Sequence, residues 1–137
     1  MNSEELLKEA KRARKKSYAP YSRYQVGAAL LTGSGKIYTG CNIENAGYSA
    51  TNCAERTAFF KAVSEGERRF QKIAIAGGKE KEKADQPCTP CGICRQVMME
   101  FCDPKTFQIV IADPENGYKE FTLEELLPYG FGPDNLK

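Results

Sequence analysis

Two short stretches concentrate the groups able to hold a metal or move a proton: Cys91-Gly92-Ile93-Cys94, which follows Pro90, and Cys53-Ala54-Glu55. Cysteines three apart share one face of a helix and can grip one ion. Proline is at home in a first helical turn, so a helix is predicted to open at about Pro90. The CxxC pair alone would also suit a redox pair or a plain helix start. Thioredoxin-like use expects it directly after the first strand of a βαβ unit, and here other elements precede it. Glu55 alone has an ordinary reading too, because Asn52 and Glu55 have capping-box spacing.

Taken together the two stretches are far more specific. Thr51 and Asn52 are cap-type residues that put Cys53 in the first turn of a helix. Two helix N-termini carrying thiols can converge on one point, and their partial positive ends favour thiolate, the form that binds metal. Three cysteines leave the fourth tetrahedral position open for water, the pattern of a catalytic zinc, with Glu55 beside it to carry the proton. The chain has no histidine, so a general base must be a carboxylate and a zinc site must be built from thiolates and carboxylates. The register has a competitor, since Cys88-Thr89-Pro90-Cys91 is also a CxxC. Pro90 disfavours helix at Thr89, whereas Cys91 and Cys94 lead into the good helix formers Arg95 to Glu100. Cys88 is then a spare thiol.

These groups need a scaffold. A chain of 137 residues, 41% hydrophobic and 28% charged, suits one domain with a real core and not disorder. A net charge of +2 is too small to indicate a nucleic-acid surface. No apolar run reaches the length of a membrane span. The opening Met1-Asn2-Ser3-Glu4-Glu5 has no apolar stretch behind it, which reads as a cytoplasmic chain without a secretory signal. The six cysteines are then metal-binding or catalytic rather than disulfide-bonded.

Ser3 is predicted to cap an amphipathic helix over 4–16, its basic cluster (Lys11, Arg12, Arg14, Lys15, Lys16) forming a solvated last turn. A hairpin follows, from Tyr24 to Leu31 and from Lys36 to Asn42. Next come a helix from Cys53 to Val63, a strand over 73–76, a mobile charged loop over 78–87 and a helix from about Pro90 to Phe101. A buried strand over 107–112, an edge strand at Glu120-Phe121 and a short helix capped by Thr122 complete the order. Right-handed crossovers put the two central helices on one face of a mixed sheet. The expectation is a single α/β domain over residues 1–137.

Cys53-Ala54-Glu55 and Pro90-Cys91-Gly92-Ile93-Cys94 match the signature of zinc-dependent nucleobase deaminases: a first ligand, one residue, a glutamate, then Pro-Cys-x-x-Cys. The chain more closely resembles the short, all-cysteine cytidine deaminases, from its first helix to Leu126-Leu127-Pro128. The residues that carry the resemblance are Tyr18-Ala19-Pro20-Tyr21-Ser22, Gln25-Val26-Gly27-Ala28-Ala29-Leu30, Gly40-Cys41-Asn42-Ile43-Glu44-Asn45, Cys53-Ala54-Glu55-Arg56-Thr57-Ala58 and Pro90 through Val97.

The resemblance implies a three-layer α/β fold, a mixed β-sheet with helices on both faces. It implies one zinc per chain on Cys53, Cys91 and Cys94, with Glu55 catalytic, and deamination of cytidine and deoxycytidine in pyrimidine salvage. Asn42 and Glu44 would bind the ribose, Tyr24 would stand near the base, and the Ala54 backbone would contact it. Phe131 would reach the ring in a neighbouring subunit of a homotetramer with shared active sites, with Ala46 and Tyr48 near the subunit boundary. The partner is then a small-molecule nucleoside, with no nucleic acid and no membrane. Three thiolates on a divalent zinc leave one net negative charge, which weakens the Lewis acid; Arg56 is the residue expected to donate to the sulfurs and offset it. Three features depart from the family: Tyr24 stands where phenylalanine is usual, Cys88 is an added thiol, and the loop before Pro87 is highly charged. The competing readings are a closed structural zinc completed by Cys41, Cys88 or Cys102, a polynucleotide-editing deaminase, and a blasticidin-type deaminase of another cytosine nucleoside analogue.

Overall fold

The three central strands of this chain bury both faces, and the two faces differ in the size of their residues. In the computed structural model, which describes residues 1–137, β1 (Tyr24–Thr32), β2 (Ile37–Cys41), β3 (Phe70–Lys79), β4 (Gln108–Asp113) and β5 (Gly117–Thr122) form one sheet ordered β2-β1-β3-β4-β5. The β3–β4 pair is parallel and the others are antiparallel. Ala29, Ala74, Ala76, Val110 and Ala112 line one face and pack on Leu6, Leu7 and Ala10 of α1 (Ser3–Ala13). Ala28, Leu30, Ile73, Ile75, Ile109 and Ile111 line the other, beneath α2 (Ala54–Ser64) and α3 (Gly92–Phe101). Small residues let α1 lie close, while the larger face carries the two helices that bear the thiols. The mixed sheet with helices on both faces is the architecture the resemblance implied, and the two central helices share one face as expected. No helix is long and apolar enough to cross a membrane.

Gly40 on β2 sets how closely α2 approaches. A Cβ there would lie 2.4 Å from the Ala54 carbonyl oxygen and 2.6 Å from the Ala58 nitrogen, both backbone atoms that cannot swing away. The start of α2 therefore rests directly on the sheet, next to the end of β2 where Asn42 and Glu44 follow.

Several elements differ from the sequence reading. The cap of α1 is Asn2, whose Oδ1 accepts from Glu5 N at 2.9 Å; Ser3 is inside the helix, and its hydroxyl donates to Glu120. The helix tightens into a 3₁₀ turn at Arg14–Lys16, and Arg14 is buried rather than part of a solvated cluster. β3 extends well beyond residues 73–76, because Lys72, Gly77, Gly78 and Lys79 pair with β1 although they add no apolar signal. Residues 78–87 are not a free loop: Ala84 is buried against the α1 face, and Arg14 binds the backbone of Gly78, Lys79 and Glu82. The last helix, α4 (Leu123–Leu126), is capped by Thr122 as expected, with a full capping box to Glu125.

Candidate active site

Neither thiol-bearing helix starts where its sequence suggested, and the shift shapes the site. Cys53 is the N-cap of α2 and Cys91 the N-cap of α3, each with extended backbone and neither making a capping hydrogen bond. Pro90 lies outside the helix, and its carbonyl accepts from Arg95 Nε at 2.8 Å. An N-cap side chain lies over the first turn, where it ordinarily accepts from a free N–H. Here both sulfurs turn instead toward each other. Glu55 falls at the second helical position, so it cannot close a capping box with Asn52, whose Nδ2 donates to Thr57 Oγ1 at 3.0 Å.

The Cys53 and Cys91 sulfurs lie 3.6 Å apart and those of Cys91 and Cys94 3.5 Å apart, and all three fall within 4.8 Å of one another. A tetrahedral zinc with Zn–S bonds of about 2.3 Å sets its sulfurs about 3.8 Å apart, so the donor set fits the metal in number, type and spacing. Cys88 is not in the group. Its sulfur faces Gly77 and Tyr24. Cys94 is buried and Cys91 exposed, so the cluster opens from the core toward solvent on one side. Hydrogen bonds from Cys94 and, after the cost of burial, from Arg56 and Cys91 hold Cys53 down at about 5. Cys94 is pushed far up, first because its S–H donates a hydrogen bond to Cys53 and then by burial.

Glu55 is 4% exposed beside these sulfurs. Burial pushes its carboxyl up to about 7 against the backbone N–H that favours its charge, with Cys53 adding to the rise. A carboxyl held near neutrality can both take and return a proton. Arg56 Nη2 donates to Cys53 Sγ at 3.3 Å, while its Nε is buried without a partner. Arg95 turns away, binding the carbonyls of Pro90 and Leu126 and tying α3 to the end of α4.

Asn42 Oδ1 accepts from Val26 N at 2.9 Å and its Nδ2 donates to Tyr24 O at 2.8 Å, so this side chain also braces β1. Glu44 accepts from the backbone N–H groups of Tyr21 and Ser22 and from the Ser22 hydroxyl, which holds it below the usual carboxylate range. Ala54 is fully buried, and Tyr24 is 38% exposed. Phe131 is not drawn into the Cys53–Glu55 cluster. It is exposed, with its carbonyl accepting from Gln96 of α3. Two contributors escaped the sequence reading. Ser22 anchors Glu44, and the Thr57 hydroxyl bridges the Cys41 and Cys53 carbonyls at 3.1 and 3.2 Å. The Tyr21-Ser22 break and a threonine one turn after Cys53 were the available signals.

This geometry predicts that Cys91→Ala or Cys94→Ala loses zinc while Cys88→Ala keeps about one zinc per chain, read as metal content of the purified variants. Zinc lost from Cys88→Ala and kept by Cys94→Ala would move the site one motif back. Zinc lost from all three would make it closed.

The family model described as the cytidine and deoxycytidylate deaminase zinc-binding region matches residues 1–110. A cytidine deaminase of Sporosarcina psychrophila is 48% identical over 136 residues, spanning 99% of this chain and 96% of its own. A probable cytidine deaminase of Dictyostelium discoideum is 43% identical over 139 residues, spanning 99% of this chain and 90% of its own. The crystal structure of cytidine deaminase from Burkholderia pseudomallei superposes with a TM-score of 0.85 at 44% identity, covering 96% of this chain and all of that one. The chain belongs to the cytidine and deoxycytidylate deaminase family.

Proposed function

We infer that this chain hydrolyses the 4-amino group of cytidine and deoxycytidine, consuming water and giving uridine or deoxyuridine plus ammonia. The observation that carries the reading is a buried carboxyl, Glu55, held near neutrality beside three sulfurs at zinc spacing. One zinc on Cys53, Cys91 and Cys94 supplies a Lewis acid that makes hydroxide available near neutral pH. Glu55 takes one proton of the attacking water and delivers it to N3 of the pyrimidine as the hydroxide oxygen adds to C4. It then takes the remaining proton from the new C4 hydroxyl and passes it to the amine, so that the C4–N4 bond breaks, the C4 carbonyl forms and ammonia leaves with N3 still protonated. Arg56 places its positive charge on the Cys53 sulfur and offsets the third thiolate.

We assign the sugar to Asn42 and Glu44. Each keeps hydrogen-bonding capacity beyond its bonds within the chain: an N–H on Asn42, and lone pairs on the Glu44 carboxylate for a ribose hydroxyl. Tyr24 and the Ala54 backbone border the base. A sugar-reading pair argues for a nucleoside, which also disfavours an analogue deaminase of the blasticidin type. A reaction on free nucleosides suits pyrimidine salvage in the cytoplasm, with no nucleic acid or membrane as partner. We read residues 1–137 as one domain, because both cores share a single sheet.

We further assign the chain to a homotetramer with shared active sites. Tyr48 and Phe131, 79% and 55% exposed, are among the aromatic groups open to a partner. Native mass spectrometry should find four chains, and Phe131→Ala should lower turnover at a neighbouring site; a fully active monomer would overturn the assignment.

Glu55→Gln keeps the shape of the site but cannot shuttle a proton, so turnover of cytidine should fall by at least about 10² to 10⁴-fold with zinc and folding retained. Turnover within a few fold of the parent would remove Glu55 from the chemistry.

A further inference from the structure

Among the buried residues Arg14 alone carries a positive charge, and no carboxylate lies within ion-pair distance of it. Its guanidinium is satisfied by backbone alone. Nε donates to Gln25 O at 3.2 Å, Nη1 to Glu82 O at 3.0 Å, and Nη2 to Gly78 O at 2.9 Å and Lys79 O at 3.0 Å. A buried charge is costly unless it is fully hydrogen-bonded, and the planar five-donor fork of arginine is what lets one group span carbonyls from three segments.

Those carbonyls sit at one place in the sheet. Gln25 and Gly78 face each other in the β1–β3 register, and Tyr24 faces Lys79 one step further out. Glu80 N then donates to Arg23 O at 2.8 Å, so Arg14 closes the last rungs of the ladder. Consecutive residues of a strand point to opposite faces, and the two glycines of β3 use this. A Cβ on Gly78 would come 3.4 Å from Arg14 Nη2. A Cβ on Gly77 would strike Cys88 Sγ at 2.6 Å and Tyr24 Cε1 at 3.0 Å. The end of the sheet is thus held by Arg14 on the α1 face and carries Tyr24 and Cys88 on the face of the thiol cluster. Burial first, and then the charges of Glu55 and Cys53, push up the thiol of Cys88, which is half-buried there.

We propose that Arg14 is a positioning residue for nucleobase binding, fixing the end of the β1–β3 pair so that Tyr24 and Cys88 form one wall of the base pocket. The proposal rests on the reading of Tyr24 as a base-facing residue. It assigns Arg14 to binding rather than to the chemical step, because Glu55 and the three sulfurs stand on α2, α3 and their N-caps and not on the rungs Arg14 holds.

The test is steady-state kinetics with cytidine on the zinc-loaded enzyme and on Arg14→Lys, Arg14→Gln, Tyr24→Ala and the double variant Arg14→Lys/Tyr24→Ala, with zinc content and thermal midpoint measured alongside. A lysine keeps the charge but cannot reach four carbonyls from one ammonium. Arg14→Lys should raise KM about two- to tenfold, the size of one displaced aromatic contact, with kcat within about twofold and zinc retained. Arg14→Gln should raise it at least as much. In the Tyr24→Ala background Arg14→Lys should add no further rise, because the group it positions is gone. A lowered thermal midpoint with unchanged KM, fully additive KM effects, or loss of zinc or folded protein in both Arg14 variants would assign Arg14 to the fold alone and overturn the proposal. A parental KM in Tyr24→Ala would separately remove Tyr24 from the base pocket, and the inference with it.

Discussion

Cys53 and Cys91 give the N-cap positions of α2 and α3 to sulfur, where serine, threonine, asparagine or aspartate would ordinarily satisfy the first free N–H groups. Each missing cap costs a helix about 1 kcal/mol. The sulfurs turn to one another instead, and Cys94, one helical turn after Cys91, completes a group at metal spacing. Zinc bound there offsets the lost caps many times over, since site formation and folding are then coupled. The rest of the structure serves this convergence. The isoleucine-rich sheet face supports both helices, and Gly40 lets the first turn of α2 settle on β2.

The same descent of α2 onto the sheet buries Glu55, and burial is what makes it useful. Two effects oppose each other at this carboxyl. The helix N-terminus favours the charged form, while desolvation and the nearby Cys53 favour the neutral one, and the second pair prevails. A carboxyl one position earlier would be the first residue of the helix; one position later, at the third, it would reach back to cap. The second position leaves it with no capping task.

The chemistry was legible in the sequence because metal ligation demands particular residue types at fixed spacing, and Cys53, Glu55, Cys91 and Cys94 satisfy that demand in two short motifs. The preference for Cys91 and Cys94 over the pair starting at Cys88 also came from local physics, a proline that disfavours helix at Thr89. The sheet core was legible for the same local reason, since 107–112 and 73–76 are apolar runs. What sequence could not supply was tertiary. Arg14 reads as one more charge in a basic turn, and only the fold puts four carbonyls around it. Residues 78–87 read as mobile from composition, whereas Arg14 and buried Ala84 hold them. The departures at Tyr24 and Cys88, distant in sequence, proved to be neighbours across Gly77.

The account turns on an open three-sulfur zinc site beside Glu55, and X-ray absorption at the zinc edge of the purified, zinc-loaded enzyme addresses that claim most directly. It predicts three sulfur scatterers at about 2.3 Å and one lighter atom at about 2.0 Å. Four sulfurs around the metal, with Cys88, Cys41 or Cys102 as the fourth, would contradict it and leave a closed site with no place for water.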